Sequence, residues 1–243
     1  MNNTKICTTF AEAVKDIKSN SSVMIGGFGG SGGQPTRLMI ALSQKKIKGL
    51  TIIGNVAGIS ETTGYGWPKN IKPIDQGIFF KKGIANKIIC SFPVPASQKP
   101  KSPIEKFWDD NKNSVEIIPQ GTLIEKIRSA GAGIPAFYTP TGVGTIVEKN
   151  KETKFIDSKK YILEYALSAD FALIRASVAD ENGNLQFHGT SRAFSPAMAT
   201  AAKITIVEVD EIVKVGSLDP NNIHTLGIHV DRIIKRRKSD IYP

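Results

Sequence analysis

The 243-residue chain is predicted to be an α/β protein with an open, mostly parallel sheet covered by helices. Three observations predict it. Short strand-like runs alternate with helix-like segments along the chain. One strand, glycine loop, helix and second strand follow one another as a βαβ unit of about 30 residues. The strand runs are apolar throughout, as strands of a parallel sheet buried on both faces are.

The elements follow in order. Over residues 8–18, Phe10, Ala13, Val14 and Ile17 recur at helical spacing, which predicts an amphipathic opening helix. Ser22-Val23-Met24-Ile25 is an apolar run leading into a glycine loop, and Pro35 suits the first position of the helix implied by Leu38, Ile40, Ala41 and Leu42. Leu50–Ile53 is the second strand. Further strands are expected at Lys87–Cys90, Val115–Ile118, Phe171–Ala176 and Ile204–Val209, and helices at Leu123–Ser129 and Arg192–Ala201. Ser91–Pro103, with four prolines, and the polar, lysine-rich Asn150–Lys160 read as surface excursions. With no repeat and no low-complexity tract, residues 1–243 are expected to form one domain.

Composition excludes several classes. At 40% hydrophobic and 22% charged residues, the chain can bury a core, so disorder is not expected. Its apolar runs are too short to cross a bilayer and the start opens on no apolar signal core, so no membrane partner and a cytoplasmic location are expected. Cys7 and Cys90 lack CxxC spacing and read as reduced, partly buried thiols. The net charge of +10 suits a polyphosphorylated ligand. Its densest run, Lys235-Arg236-Arg237-Lys238, has no interleaved aromatics and reads as a solvated tail, not a nucleic-acid arm.

Six of the eight residues from Gly26 to Gly33 are glycine, and Gly27–Gly32 formally fits GxGxxG. Glycines let backbone N–H groups approach a phosphate closely, and the following helix adds positive potential at its N-terminus. A nicotinamide site would also place a carboxylate at the end of the second strand, where this chain has Gly54-Asn55. A nucleotide phosphate loop would need Lys and Ser/Thr where Gly33 and Gln34 stand. Neither NAD nor ATP fits, although an anion site does.

The second glycine region, Ala130–Thr145, mixes glycine, proline, hydroxyls and aromatics and reads as a structured loop. HExxH does not occur, and His188, His224 and His229 have no nearby cysteine to complete a zinc cluster, so no metal is expected. Glu125, after the expected Gln120-Gly121-Thr122 turn, and Glu164 are prominent carboxylates without a catalytic context.

Several segments in this order resemble the A subunits of the class I (3-oxoacid) coenzyme A transferase family: Ile25–Gly29, Pro119–Leu123, Ala132–Thr145, Tyr161–Glu164, Asp170–Ala176 and Asp180–Leu185. The resemblance implies a NagB-like fold and a hetero-oligomer with a B-type partner, expected as two A and two B chains. It also implies a catalytic glutamate on that partner, forming a glutamyl-CoA intermediate while CoA moves between an acyl-CoA and a small carboxylic acid. Coenzyme A would be substrate and product, with no tightly bound cofactor. The resemblance assigns CoA binding to Gly26, Gly27, Phe28, Gly29, Gly30, Ser31 and Gly32, and polarisation of the reacting carbonyl to Gln120 and Asn55.

The chain departs from the family's usual pattern at three places. Gly54 stands where a first asparagine is common. Ser91-Phe92-Pro93-Val94-Pro95-Ala96 replaces Ser-Tyr-Val-Gly-Glu-Asn, and Arg192–Pro196 replaces an Asn-Phe-Asn-Pro segment. The changes at Gly54 and Ser91–Ala96 bear on the acyl substrate, and the Ser91–Ala96 change leaves a thioester hydrolase or ring-opening enzyme on the same fold as the alternative.

Overall fold

The structure, a computed structural model, describes residues 4–28, 33–64, 67, 69, 71–94 and 101–237. The first half runs α1 (Phe10–Ala13), β1 (Ser22–Ile25), α2 (Thr36–Ser43), β2 (Leu50–Ile53), α3 (Ser60–Thr63), α4 (Gly77–Lys81), β3 (Ala85–Cys90), α5 (Pro103–Asp110), β4 (Val115–Ile117) and α6 (Gln120–Gly131). The second half runs β5 (Ala136–Thr139), β6 (Thr153–Ile156), β7 (Lys159–Tyr165), β8 (Ala169–Asp180), β9 (Leu185–Gln186), α7 (Ser195–Ala201), β10 (Ala202–Val213) and β11 (Arg232–Lys235).

Seven strands form a parallel sheet in the order β11-β10-β8-β1-β2-β3-β4, with β9 antiparallel against β8. Alternation along each strand sends side chains to opposite faces. Val23 and Ile25 pack with Leu38, Met39, Phe79 and Ile104 from the helices of one face. Met24 packs with Leu123, Ile127 and Met198 from α6 and α7 on the other. Both faces are buried, which is why these strands read as continuous apolar runs.

The expected parallel strands are all present, with β8 and β10 longer than their apolar cores. Their carboxyl halves pair with each other as far as Val213 and Asp180, beyond the reach of β1. The opening helix is shorter than expected: Thr9 caps it and it gives way to turns after Ala13, although Ala13, Val14 and Ile17 are buried as their spacing requires. Gln120 is not in a turn but is the first residue of α6, because Pro119, which cannot donate a backbone hydrogen bond, serves as its cap. Helix α7 begins at Ser195 rather than Arg192, with a proline in its first turn.

A larger departure concerns residues 136–165. The expected loop and lysine-rich excursion instead contribute a second, three-stranded antiparallel sheet in the order β5-β7-β6. Every residue of β6 is exposed, so no buried apolar run marks it. Its hairpin turns through Asp157 and Ser158, both at positive φ, without the usual glycine. The basic C-terminal run is also not simply a solvated tail, because Arg236 is buried and its Nη1 donates to Asp210 at 3.0 Å.

Candidate functional site

Because β1, β2, β3 and β4 are parallel neighbours, the chain leaves all four at the same edge of the sheet. In open α/β sheets this carboxyl edge is where ligands bind. It brings together Gly26, Gly27 and Phe28 after β1, Gly54 and Asn55 after β2, Ser91 and Phe92 after β3, and Gln120 after β4. Gly29, Gly30, Ser31 and Gly32 lie outside the described residues, as does the end of the Ser91–Ala96 segment. The run Gly29–Gly33 also spells Gly-x-Ser-x-Gly, a pattern that sequence reasoning missed.

The glycines are required sterically. Gly27 has φ +90°, and a Cβ there would lie 2.7 Å from the carbonyl carbon of Gly33. A Cβ on Gly26 would lie 2.7 Å from Ser195 Oγ. Both ends of the loop meet the segment before α7, since a Cβ on Gly33 would strike Ser191 and the Phe28 ring sits 6.4 Å from that of Phe194. The Arg192–Pro196 departure therefore borders the glycine loop.

Asn55 is buried, and its backbone carbonyl accepts from the N–H groups of Ser91 at 3.1 Å and Phe92 at 3.0 Å. Its side-chain Oδ1 has no hydrogen-bond partner, and neither has the buried Ser91 Oγ. Gln120 is exposed at the N-terminus of α6, where its side chain is not tied into the core. Two glutamines missed by sequence reasoning lie at the same edge. Gln34 Nε2 donates to Gln76 Oε1 at 3.3 Å, both side chains are buried, and Gln34 Oε1 is unpartnered.

Glu208 was also missed. It lies within β10, fully buried, and one carboxylate oxygen accepts from the backbone N–H groups of Arg37 and Leu38 at 2.9 Å each. Those amides are in the first turn of α2, the helix that leaves the glycine loop. Burial pushes the Glu208 carboxyl up to about 7, against the pull of the two amides and the nearby Arg236 and Arg175. The signal available in sequence was a lone acid inside the apolar run Ile204–Val209.

Other candidates have structural surroundings. Burial pushes the Cys90 thiol up to about 12, which removes its nucleophilic form. His224 Nδ1 accepts from the Phe187 N–H at 3.0 Å and its ring stacks on Phe187. Glu125 pairs with Arg128 on the surface of α6. Glu164 is buried between Lys126 and Lys151; burial pushes its carboxyl up, but the two ammonium groups outweigh this and hold it below the usual range. Among the described residues, no cluster of His, Cys, Asp and Glu could hold a metal ion, and no helix is long and apolar enough to cross a membrane.

Comparison with known proteins matches the coenzyme A transferase family model over residues 7–236. The chain is 40% identical over 230 residues to the A subunit of 3-oxoadipate CoA-transferase from Pseudomonas putida, covering 95% of this chain and 93% of that one. It is 39% identical over 238 residues to the A subunit of succinyl-CoA:3-ketoacid coenzyme A transferase from Helicobacter pylori (strain J99), covering 96% and 93%. Among solved structures, an acyl-CoA transferase from Escherichia coli O157:H7, crystallised as a thioester complex with CoA, shares the fold with a TM-score of 0.80 at 21% identity. That match covers 99% of this chain and 49% of the other, so this chain spans about half of that longer one. By its sequence and its sheet, the chain belongs to the coenzyme A transferase family, among the A subunits of the 3-oxoacid type.

Proposed function

We propose that this chain acts with a B-type partner as one half of a heteromeric CoA-transferase, in a complex of two A and two B chains, moving CoA between a 3-oxoacyl-, succinyl- or short-chain acyl-CoA and a free carboxylate in the cytoplasm. The observation that carries the reading is the convergence of Gly26–Phe28, Asn55 and Gln120 on one carboxyl edge, in a chain about 40% identical to A subunits of this type.

In this reading the partner's glutamate attacks the thioester carbonyl, the CoA thiolate leaves, and a mixed anhydride forms. The thiolate then attacks the glutamyl carbonyl, releasing the first carboxylate and leaving glutamyl-CoA; the second carboxylate reverses the sequence. Covalent catalysis divides one acyl exchange into easier steps. The A chain supplies binding and polarisation. Backbone amides of the loop from Gly26 to Gly32 approach CoA, while the amide side chains of Asn55 and Gln120 donate to the oxygen on which negative charge develops. Charge stabilisation of this kind is effective where water is displaced, and Asn55 is buried.

The test is co-expression with a B-type chain, followed by an assay of CoA exchange from acetoacetyl- or succinyl-CoA to a panel of carboxylates. Exchange that needs both chains and an acceptor supports the reading. Thioester loss without an acceptor would replace it with hydrolysis.

A further inference from the structure

Gln34 and Gln76 precede the two crossover helices α2 and α4, whose N-termini face the carboxyl edge because each helix runs back between parallel strands. Their carboxamides are almost completely buried and bonded to each other, with Gln34 Nε2 donating to Gln76 Oε1. A glutamine pair in a hydrocarbon core costs free energy unless its groups are used. This pair leaves Gln34 Oε1 without a partner, and a second unpartnered buried oxygen belongs to Asn55 at the same edge of the sheet.

Gly54 explains what the pair faces. A Cβ built on Gly54 would lie 3.2 Å from Gln76 Nε2, with the carbonyl oxygens of Ile25 and Val56 at 3.5 and 3.7 Å. No side chain rises from Gly54, so Gln76 Nε2 lies directly over the backbone of that glycine, next to Asn55 in the chain. With Oε1 engaged by Gln34, Gln76 meets a ligand through its N–H donors. A carboxamide held in that orientation selects an oxygen acceptor, and a buried donor discriminates strongly against an analogue that lacks the acceptor, because the donor is then left unpaired.

We infer that Gln76, oriented by Gln34 and exposed to the ligand by Gly54, is a specificity-determining residue that binds a second oxygen of the acyl group, a ketone or distal carboxylate oxygen. The inference rests on the proposed CoA-transferase reading, in which the acyl group lies beside Asn55.

The test compares kcat/KM of the wild-type two-chain enzyme and its variants for acetoacetyl-CoA, succinyl-CoA and butyryl-CoA, with one fixed acceptor. Gln76→Leu keeps the side chain's approximate size and removes its N–H. It is expected to lower kcat/KM at least about tenfold for the two oxygenated thioesters and to leave butyryl-CoA within about twofold. Gly54→Ala, which keeps both glutamines and moves a methyl group against Gln76 Nε2, is expected to produce the same selective loss and serves if Gln76→Leu does not fold. Loss of equal size on all three substrates in both variants, or no loss in either, overturns the role of Gln76 and leaves the transferase reading intact. A wild-type complex that exchanges CoA with none of the three overturns both.

Discussion

Asn55 and Gln120 differ in what a substitution would isolate. Asn55 is buried at the joint between β2 and β3, where its backbone carbonyl accepts from Ser91 and Phe92, so changing its side chain alters packing at that joint as well as any chemistry. Gln120 is exposed at the start of a helix, where alanine is well tolerated. Gln120→Ala is therefore expected to lower kcat by about 10²–10³, the usual cost of losing one oxyanion donor, with little change in the melting temperature of the complex. Steady-state kinetics and thermal unfolding would check this, and an unchanged kcat would remove Gln120 from the chemistry. That Gly26, Gly27, Asn55 and Gln120 follow strands, and so meet at one edge of the sheet, was readable in the sequence. The burial of Gln34 and Gln76 was not, because a polar residue beside a loop looks solvated until the fold buries it.

At the scale of elements, the attachment of α2 to β10 depends on one carboxylate. The carboxyl of Glu208 is raised from its ordinary value of 4.5 to about 7, so the folded chain holds that proton more tightly than the unfolded chain. Stability contributed by the protonated form is complete below the unfolded value and is lost as pH rises through about 7. Glu208→Gln keeps an oxygen for the Arg37 and Leu38 amides and does not ionise. Its melting temperature relative to wild type is expected to rise between pH 5 and pH 8, by an amount corresponding to roughly 3 kcal/mol at most. A difference independent of pH would show that Glu208 stays charged across this range.

At the scale of the whole molecule, two sheets of different kinds are joined by a buried charge cluster. Glu164 on β7 accepts from Lys126 of α6 at 2.9 Å and from Lys151, just before β6, tying the small sheet to the helix that begins with Gln120. Glu164→Gln leaves two ammonium groups facing a neutral amide. Because both lysines keep some solvent contact, the expected cost is about 1–3 kcal/mol, below that of a fully buried pair. Thermal unfolding would check it, and adding Lys126→Met should recover part of the loss, whereas additive losses would mean that the pair is not coupled.

The sequence by itself determined the parallel α/β sheet, the order of its strands along the chain and the family. Each rests on local signals: strands buried on both faces are uniformly apolar, and the glycine loop must be glycine where a Cβ would strike Gly33. The tertiary structure alone decided the small sheet, the burial of Arg236, the contact of Glu208 with α2 and the pairing of Gln34 with Gln76. These depend on contacts between distant segments, such as a β10 carboxylate reaching the amides of α2, or a hairpin whose outer strand is exposed along its length. Periodicity records how each segment meets the core and carries no information about which polar groups meet each other once the core has formed.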